Sequence, residues 1–426
     1  MNILHINCYD IGGAPKGAFR LHKNLLEAGL NSEMFVLVKI NKQTQAYSFR
    51  KSLFLLQVRQ KIRSTINSIR NVHTNPDYLF KSGNQFDVSS AEDIYKKLPF
   101  KPDIIVAHWI SDFISAQTLC ELGRLCNAPL VWYLLDMAPL TGGCHYAWDC
   151  KGYTKVCGNC PALYSGKPFD DSYLQLQDKM QSIRNSDITI VAGSSRLAEQ
   201  AKNATVFNGK SIEKIMLGID CAVFKQEVKS VARASLNLPL DKKILFFGAL
   251  YFWDKRKGMK YLLDALNTLK NSYAGAHDDL VITIAGDSSE VEPEVRKLFN
   301  CRPLGFISSD SQLAAAYQSA DLFVCPSIED SGPMMINESI LCGTPVVSFD
   351  MGAAQDLVHS GVTGYRAELK NSTDLAKGID YVLNLDNDKA EKMSDECRNL
   401  GLRLCHPRVQ AESFQSLFDS LVKVKT

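Results

Sequence analysis

The chain of 426 residues has little net charge and no long apolar run. Its 48 basic and 46 acidic side chains leave a formal charge of +2, which does not point to a global polyanion binder. No apolar run approaches the roughly 18 residues of a membrane-spanning helix. There is no low-complexity tract and no internal repeat. Met1 leads directly into the apolar alternation Asn2-Ile3-Leu4-His5-Ile6 with no basic n-region, so no secretory leader is expected. Neither a GxGxxG dinucleotide fingerprint nor a P-loop is present. The 13 cysteines are odd in number and irregularly scattered, which fits reduced thiols in the cytosol.

What is present is alternation. Apolar runs at Ile3–Ile6, Glu33–Val38, Ile104–Ala107, Leu130–Leu134 and Ile188–Ala192 are separated by longer helical patterns. A second series follows at Lys243–Gly248, Leu280–Ala285, Leu322–Val324 and Pro345–Ser348. Strands alternating with helices predict an α/β protein with doubly wound parallel sheets. The hinge is expected near Gly218-Ile219-Asp220, giving one unit over 1–217 and another over 218–405. In residues 406–426, Phe414, Leu417, Phe418 and Leu421 share one helical face, which could pack back on the first unit.

The most informative segment is Pro326-Ser327-Ile328-Glu329-Asp330-Ser331-Gly332-Pro333-Met334-Met335-Ile336-Asn337-Glu338. It follows a strand and opens a helix, with Ser331 read as its N-cap and Pro333 in its first turn. The amides of Met334, Met335 and Ile336 would then point outward, a ready site for phosphate. Asp330 and Glu338 are placed to accept hydrogen bonds from sugar hydroxyls. The alternative is a capped helix with two solvated acids.

Two further elements carry charge or close backbone approach. Gly248 ends a strand, and Asp254-Lys255-Arg256-Lys257-Gly258 opens the next helix. Fixed cations there would stabilise a departing diphosphate without a metal. Gly12-Gly13-Ala14-Pro15-Lys16-Gly17 follows the first strand, and its double glycine lets backbone amides approach a ligand. Two strand ends in the first half add His108, read as a site histidine or a packing residue, and Asp136.

Together these motifs resemble the retaining group 1 glycosyltransferases (family 4). The similarity runs from Pro326 through Gly343-Thr344-Pro345-Val346-Val347 to Gly352, Asp356 and Gly361-Val362-Thr363-Gly364-Tyr365. It implies a GT-B fold, two Rossmann-like domains facing a central cleft, with the acceptor on the first and a UDP- or GDP-type nucleotide sugar on the second. It assigns donor sugar contact to Asp330, the ribose to Glu338 and the pyrophosphate to Lys257. Gly13, Gly248, Arg256, Met334, Met335 and Ile336 become donor-binding positions, and Gly12, His108 and Asp136 acceptor-side ones. It implies transfer with retention to a glycan or lipid-linked acceptor in surface polysaccharide synthesis, with no catalytic metal and no nucleic-acid partner, at the inner face of the plasma membrane. Four positions depart from the family pattern. Asp330 stands where glutamate is usual, with Glu329 beside it as a stand-in, Leu135 where many relatives carry histidine, Ala249 where a basic residue is usual, and Leu217 where asparagine is usual. A binding-only relative, or an epimerase of the same fold, is the competing reading.

Two features fall outside that pattern of site residues. Cys144, Cys150, Cys157 and Cys160 form C-x5-C-x6-C-x2-C, which suits a closed structural zinc site, against free thiols or a redox pair. A similar Gly-Cys-His-Tyr and Cys-Gly-Asn-Cys-Pro pattern occurs in a subset of the family. Between Glu33 and Asp77 no acid appears, while Lys39, Lys42, Arg50, Lys51, Arg59, Lys61, Arg63 and Arg70 do. Leu55, Leu56, Val58, Ile62, Ile66 and Ile69 interleave at roughly helical spacing, so the stretch reads as a helix on anionic lipid or as a core-facing helix with a solvated basic face.

Overall fold

The computed structural model describes residues 1–42, 44–50, 74–81, 87–272 and 279–423. Most of the basic amphipathic stretch, residues 51–73, lies outside them. The chain divides into two compact units: residues 1–193, 197–216 and 410–426 form one, and residues 194–196 and 217–409 the other.

The first unit is built on a seven-stranded sheet: β1 (Asn2–Tyr9), β2 (Asn31–Val38), β3 (Tyr47–Arg50), β4 (Ile104–Ala107), β5 (Leu130–Leu134), β6 (Ile188–Ala192) and β7 (Ile212–Lys214). Their order is β3-β2-β1-β4-β5-β6-β7, and the neighbouring strands pair in parallel. The inner strands β4, β5 and β6 are buried along their whole length, as expected where helices cover both faces.

The second unit repeats the plan with β8 (Lys243–Gly248), β9 (Leu280–Ala285), β10 (Asn300–Gly305), β11 (Leu322–Cys325), β12 (Val346–Phe349) and β13 (Gly364–Ala367). The order is β10-β9-β8-β11-β12-β13, again parallel throughout. In both sheets the chain winds outward in one direction, then returns and winds outward in the other. The reversal lies between β1 and β4 in the first unit and between β8 and β11 in the second. Open α/β sheets bind ligands outside the carboxyl ends of the strands at this point.

The Pro407–Lys423 helix belongs to the first unit from Gln410 onward. Gln410, Ala411, Phe414 and Phe418 are its buried stripe, spaced at helical period. Gln410 is hydrogen-bonded to Asn24 at 2.8 Å and to the Tyr133 hydroxyl at 3.3 Å, while Phe414 meets the Tyr133 ring edge-on at 5.2 Å. Among the described residues no helix is long and apolar enough to cross a membrane.

Candidate functional site

In the second unit, β8 ends at Gly248 and β11 at Cys325, on the two sides of the reversal. The absence of a side chain at Gly248 matters there. A Cβ would stand 3.0 Å from the Ala285 carbonyl oxygen and 3.3 Å from the Met335 methyl, so a side chain there would press on both.

The basic loop after β8 is held in one conformation. The Asp254 carboxylate accepts from the Arg256 amide at 3.0 Å and is ion-paired with its guanidinium. The Lys257 amide donates to the Asp254 carbonyl at 2.9 Å, and Gly258 ends the turn at φ +68°, a left-handed value that favours glycine. A Cβ on Gly258 would run into the Pro326 carbonyl, and the Ile328 amide donates to the Arg256 carbonyl at 2.8 Å. The basic loop and the acidic loop are thus fastened backbone to backbone.

That fastening brings two of the sequence candidates together. Lys257 Nζ lies 2.8 Å from Asp330 Oδ2, and Asp330 Oδ1 accepts from the Gly332 amide at 3.2 Å. Burial alone would raise the Asp330 carboxyl, but the Lys257 charge and hydrogen bond, Arg256 and the Gly332 amide outweigh it and hold it below the usual range. Burial works against the Lys257 ammonium too, and Asp330 more than offsets it, leaving the amine above its ordinary value. The pair is charged at neutral pH. An ammonium has three donors, so Lys257 can hold Asp330 and still reach a phosphate oxygen.

The helix start differs in detail from the reading of the sequence. Pro333, extended at φ −63° and ψ 112°, takes the capping position, so Ser331 is not the N-cap. The Ser331 carbonyl accepts from the Ser194 hydroxyl at 2.9 Å. Its own hydroxyl is buried with no partner among the described residues. The Ile336 amide is taken by the Pro333 carbonyl at 3.1 Å, so the three amides expected to point outward at this helix start are not all available. Gly352, at φ +53°, packs under the Asp330 carbonyl and Pro333. Glu338 is 2% exposed, and its Oε2 accepts from the Tyr317 hydroxyl at 3.1 Å. The structure joins Lys257 to Asp330 and turns Glu338 toward Tyr317.

In the first unit the loop after β1 carries Gly12 at φ +110°, which caps the Gly13–Glu27 helix. His108 follows β4: its Nε2 is 2.9 Å from His5 Nδ1, the rings stack, and Tyr133 meets it edge-on. Burial, reinforced by His22, pushes His108 down to about 3, so it is neutral at physiological pH.

Asp136, just beyond β5, has a partner that the sequence reading passed over. Its Oδ2 is 2.6 Å from His145 Nδ1, and its Oδ1 accepts from the Ala138 amide at 2.9 Å. His145 is fully buried, and its Nε2 has no partner. Lys179 is also buried and donates to the carbonyls of Ala138 at 2.6 Å and Thr141 at 2.7 Å. Desolvation draws its amine down to about 8 against the opposing charges of Cys157 and Asp136. Asp136, Lys179 and His108 line one small cavity with Trp109, Trp132 and Pro139, so two of the acceptor-side candidates are brought together there. The available signal was the histidine inside Gly-Cys-His-Tyr, beside a cysteine that drew attention to metal binding instead.

The four cysteines of residues 144–160 gather on one loop. Cys144 and Cys160 share a side-chain contact and are buried in a small cluster of their own with Ala162 and Leu163. Gly152 adjoins both Cys150 Sγ and Cys157 Sγ.

Residues 228–400 match the model of the family described as Glycosyl transferases group 1. An uncharacterized glycosyltransferase of Methanocaldococcus jannaschii is 26% identical over 310 residues, covering 69% of this chain and 70% of that protein. A D-inositol 3-phosphate glycosyltransferase of Arthrobacter is 25% identical over 307 residues, 68% of this chain but 64% of its own length. Among solved structures, Anabaena HepE in complex with UDP and glucose superposes with a TM-score of 0.63 at 17% identity, covering 99% of this chain and 100% of that one.

Proposed function

We propose that this chain, whose residues 228–400 match the Glycosyl transferases group 1 model, is a glycosyltransferase that moves a sugar from a nucleotide-sugar donor to a hydroxyl of a glycan or lipid-linked acceptor. The observation that carries the reading is the Lys257–Asp330 pair, 2.8 Å apart, on the loops that precede the Met334–Leu341 helix and follow β8. The structurally similar Anabaena protein holds UDP and glucose, which supports a nucleoside diphosphate sugar as donor.

The diphosphate lies against the helix start, Gly248 and Lys257, where backbone amides and one ammonium meet its charge. The unpartnered Ser331 hydroxyl adds a donor at the same place. Asp330, held by Lys257, accepts from a hydroxyl of the donor sugar, and Glu338 serves the ribose. As the bond between the anomeric carbon and the β-phosphate oxygen breaks, negative charge grows on the leaving diphosphate. Lys257 and the helix start stabilise that charge more than the ground state, which is what accelerates the step. The acceptor hydroxyl attacks the same face, its proton passes to the departing phosphate, and the configuration is retained. No residue in this scheme requires a metal.

The family resemblance supports a role in surface polysaccharide synthesis on the cytoplasmic side of the membrane. The acid-free basic stretch between Glu33 and Asp77 supports contact with anionic lipid. Salt-sensitive co-sedimentation with anionic but not neutral vesicles checks that contact.

The test of the reaction is release of nucleoside diphosphate from a panel of UDP- and GDP-sugars, with proton NMR of the new glycosidic linkage. Release from one donor, retained configuration, and loss in Lys257→Ala are the expected results. No release from any donor, with donor binding intact, would favour the binding-only relative that Leu135 and Ala249 suggest.

A further inference from the structure

The loop between β5 and the Asp171–Arg184 helix, residues 135–170, is long and nearly free of regular structure. Its one helical element is the single turn Gly152–Thr154. Structureless loops of more than about 15 residues inside compact domains are uncommon and need something to order them. Hydrophobic burial supplies little here: the local cluster consists of Cys144, Cys160, Ala162 and Leu163, with Tyr78 and Phe80 packed against it.

The backbone of this loop is nonetheless tightly specified around its sulfurs. Gly158 (φ +138°) and Asn159 (φ +46°) turn the chain between Cys157 and Cys160. A Cβ on Gly158 would strike the Pro168 carbonyl, and one on Gly142 the Ser172 carbonyl. Gly152 donates to Cys150 Sγ at 3.4 Å. Cys144 and Cys160 share one small cluster, and Gly152 adjoins both Cys150 Sγ and Cys157 Sγ, so the four sulfurs lie on one loop as two neighbouring pairs.

We propose that Cys144, Cys150, Cys157 and Cys160 bind one structural zinc ion that staples residues 135–170. The donor set fits the metal: four soft sulfurs on one loop, with Gly152 adjoining both Cys150 Sγ and Cys157 Sγ. As placed, the sulfurs do not form a closed cage. Among the described residues no three His, Cys, Asp or Glu side chains are set to hold a metal. Binding therefore draws Cys150 and Cys157, both half-buried, toward the Cys144–Cys160 contact. The staple also fixes His145, adjacent to Cys144, against Asp136. The proposal is independent of the donor site.

The test uses the full chain purified without chelator, under reducing conditions. Elemental analysis is expected to give about one zinc per chain, falling below about 0.2 in Cys157→Ser and in Cys144→Ser. Exchange of zinc for cobalt(II) is expected to give thiolate-to-cobalt charge-transfer absorption and the visible bands of a tetrahedral site. This readout needs no variant to fold. Zinc below about half an equivalent, together with a cobalt spectrum lacking thiolate charge transfer, overturns the proposal. So does an intact mass showing disulfides among these four in protein purified and handled anaerobically.

Discussion

His145 Nδ1 lies 2.6 Å from Asp136 Oδ2, and both side chains are removed from solvent. A buried carboxylate with a fixed ring partner is tolerated only because that partner and the Ala138 amide satisfy it. Removing one partner of such a pair leaves the other stranded, at a cost of about 3 kcal/mol. His145→Ala is therefore expected to lower the melting temperature of the protein by several degrees. Asp136→Asn/His145→Gln, which exchanges the carboxylate–imidazole pair for an amide pair, should recover part of the loss. Differential scanning fluorimetry of the three proteins checks this. An unchanged melting temperature in His145→Ala would show that the pair does not hold the loop.

The Lys257–Asp330 pair sets a pH window. The Asp330 carboxyl is lower in the folded protein than in the unfolded chain, so its contribution is fully present above the ordinary carboxylate range and is lost as pH falls through the folded value. The Lys257 amine is raised, so its contribution is present below the ordinary lysine value and is lost only as pH climbs past the folded one. The difference in thermal stability between wild type and Asp330→Asn should hence be flat from about pH 5 to 9. It should shrink below about pH 4. A difference that changes through pH 6–7 would contradict the assignment.

Gly258 is predicted to be among the least replaceable residues of the basic loop. Its φ of +68° and the Pro326 carbonyl in the path of a Cβ penalise any side chain twice. Gly258→Ala should destabilise the second unit by about 1–3 kcal/mol and displace Lys257 from Asp330. Donor affinity should fall at least about tenfold, a change of 1.4 kcal/mol. The check is calorimetric titration of the variant beside Gly209→Ala, a positive-φ glycine whose Cβ would meet nothing within 4 Å.

Phe414 tests the C-terminal helix. It is fully buried against Tyr133, and Phe→Ala in such a position costs about 3–5 kcal/mol. Phe414→Ala should lower stability sharply, while exposed Val409→Ala should be near neutral, as thermal melts of both would show.

The parts of the fold legible in the sequence are those with continuous apolar runs. The inner strands β4, β5, β6, β8 and β9 coincide with such runs residue for residue because both their faces are covered. The unread strands β3, β7, β10 and β13 are the four edges of the two sheets. An edge strand is short and half-exposed, and Pro303 in β10 is tolerable there because an edge has a free side. The grouping of Ser194–Arg196 with the second unit had no local signal. It depends on Asp356, whose carboxylate accepts from the Ser195 amide at 2.8 Å and from its hydroxyl at 2.5 Å, 161 positions away.

At the site, residue types were readable and partners were not. Lys257 and Asp330 stood out by motif, yet the fastening of their loops through Gly258 and Ile328 is a tertiary fact. The Ser331 cap failed because Ser-Gly-Pro shifts the start of the helix two residues on, to Pro333. His145 escaped because a pair formed across nine residues of irregular loop has no periodicity to reveal it.

The most direct measurement is donor affinity in Lys257→Ala/Glu338→Ala. With the nucleotide sugar that the wild-type protein turns over, calorimetry should show binding weakened by about 100-fold or more, two losses of about 1.4 kcal/mol each. Circular dichroism and melting should establish that the double variant is folded. A folded double variant that binds the donor as tightly as wild type would contradict the account of this site.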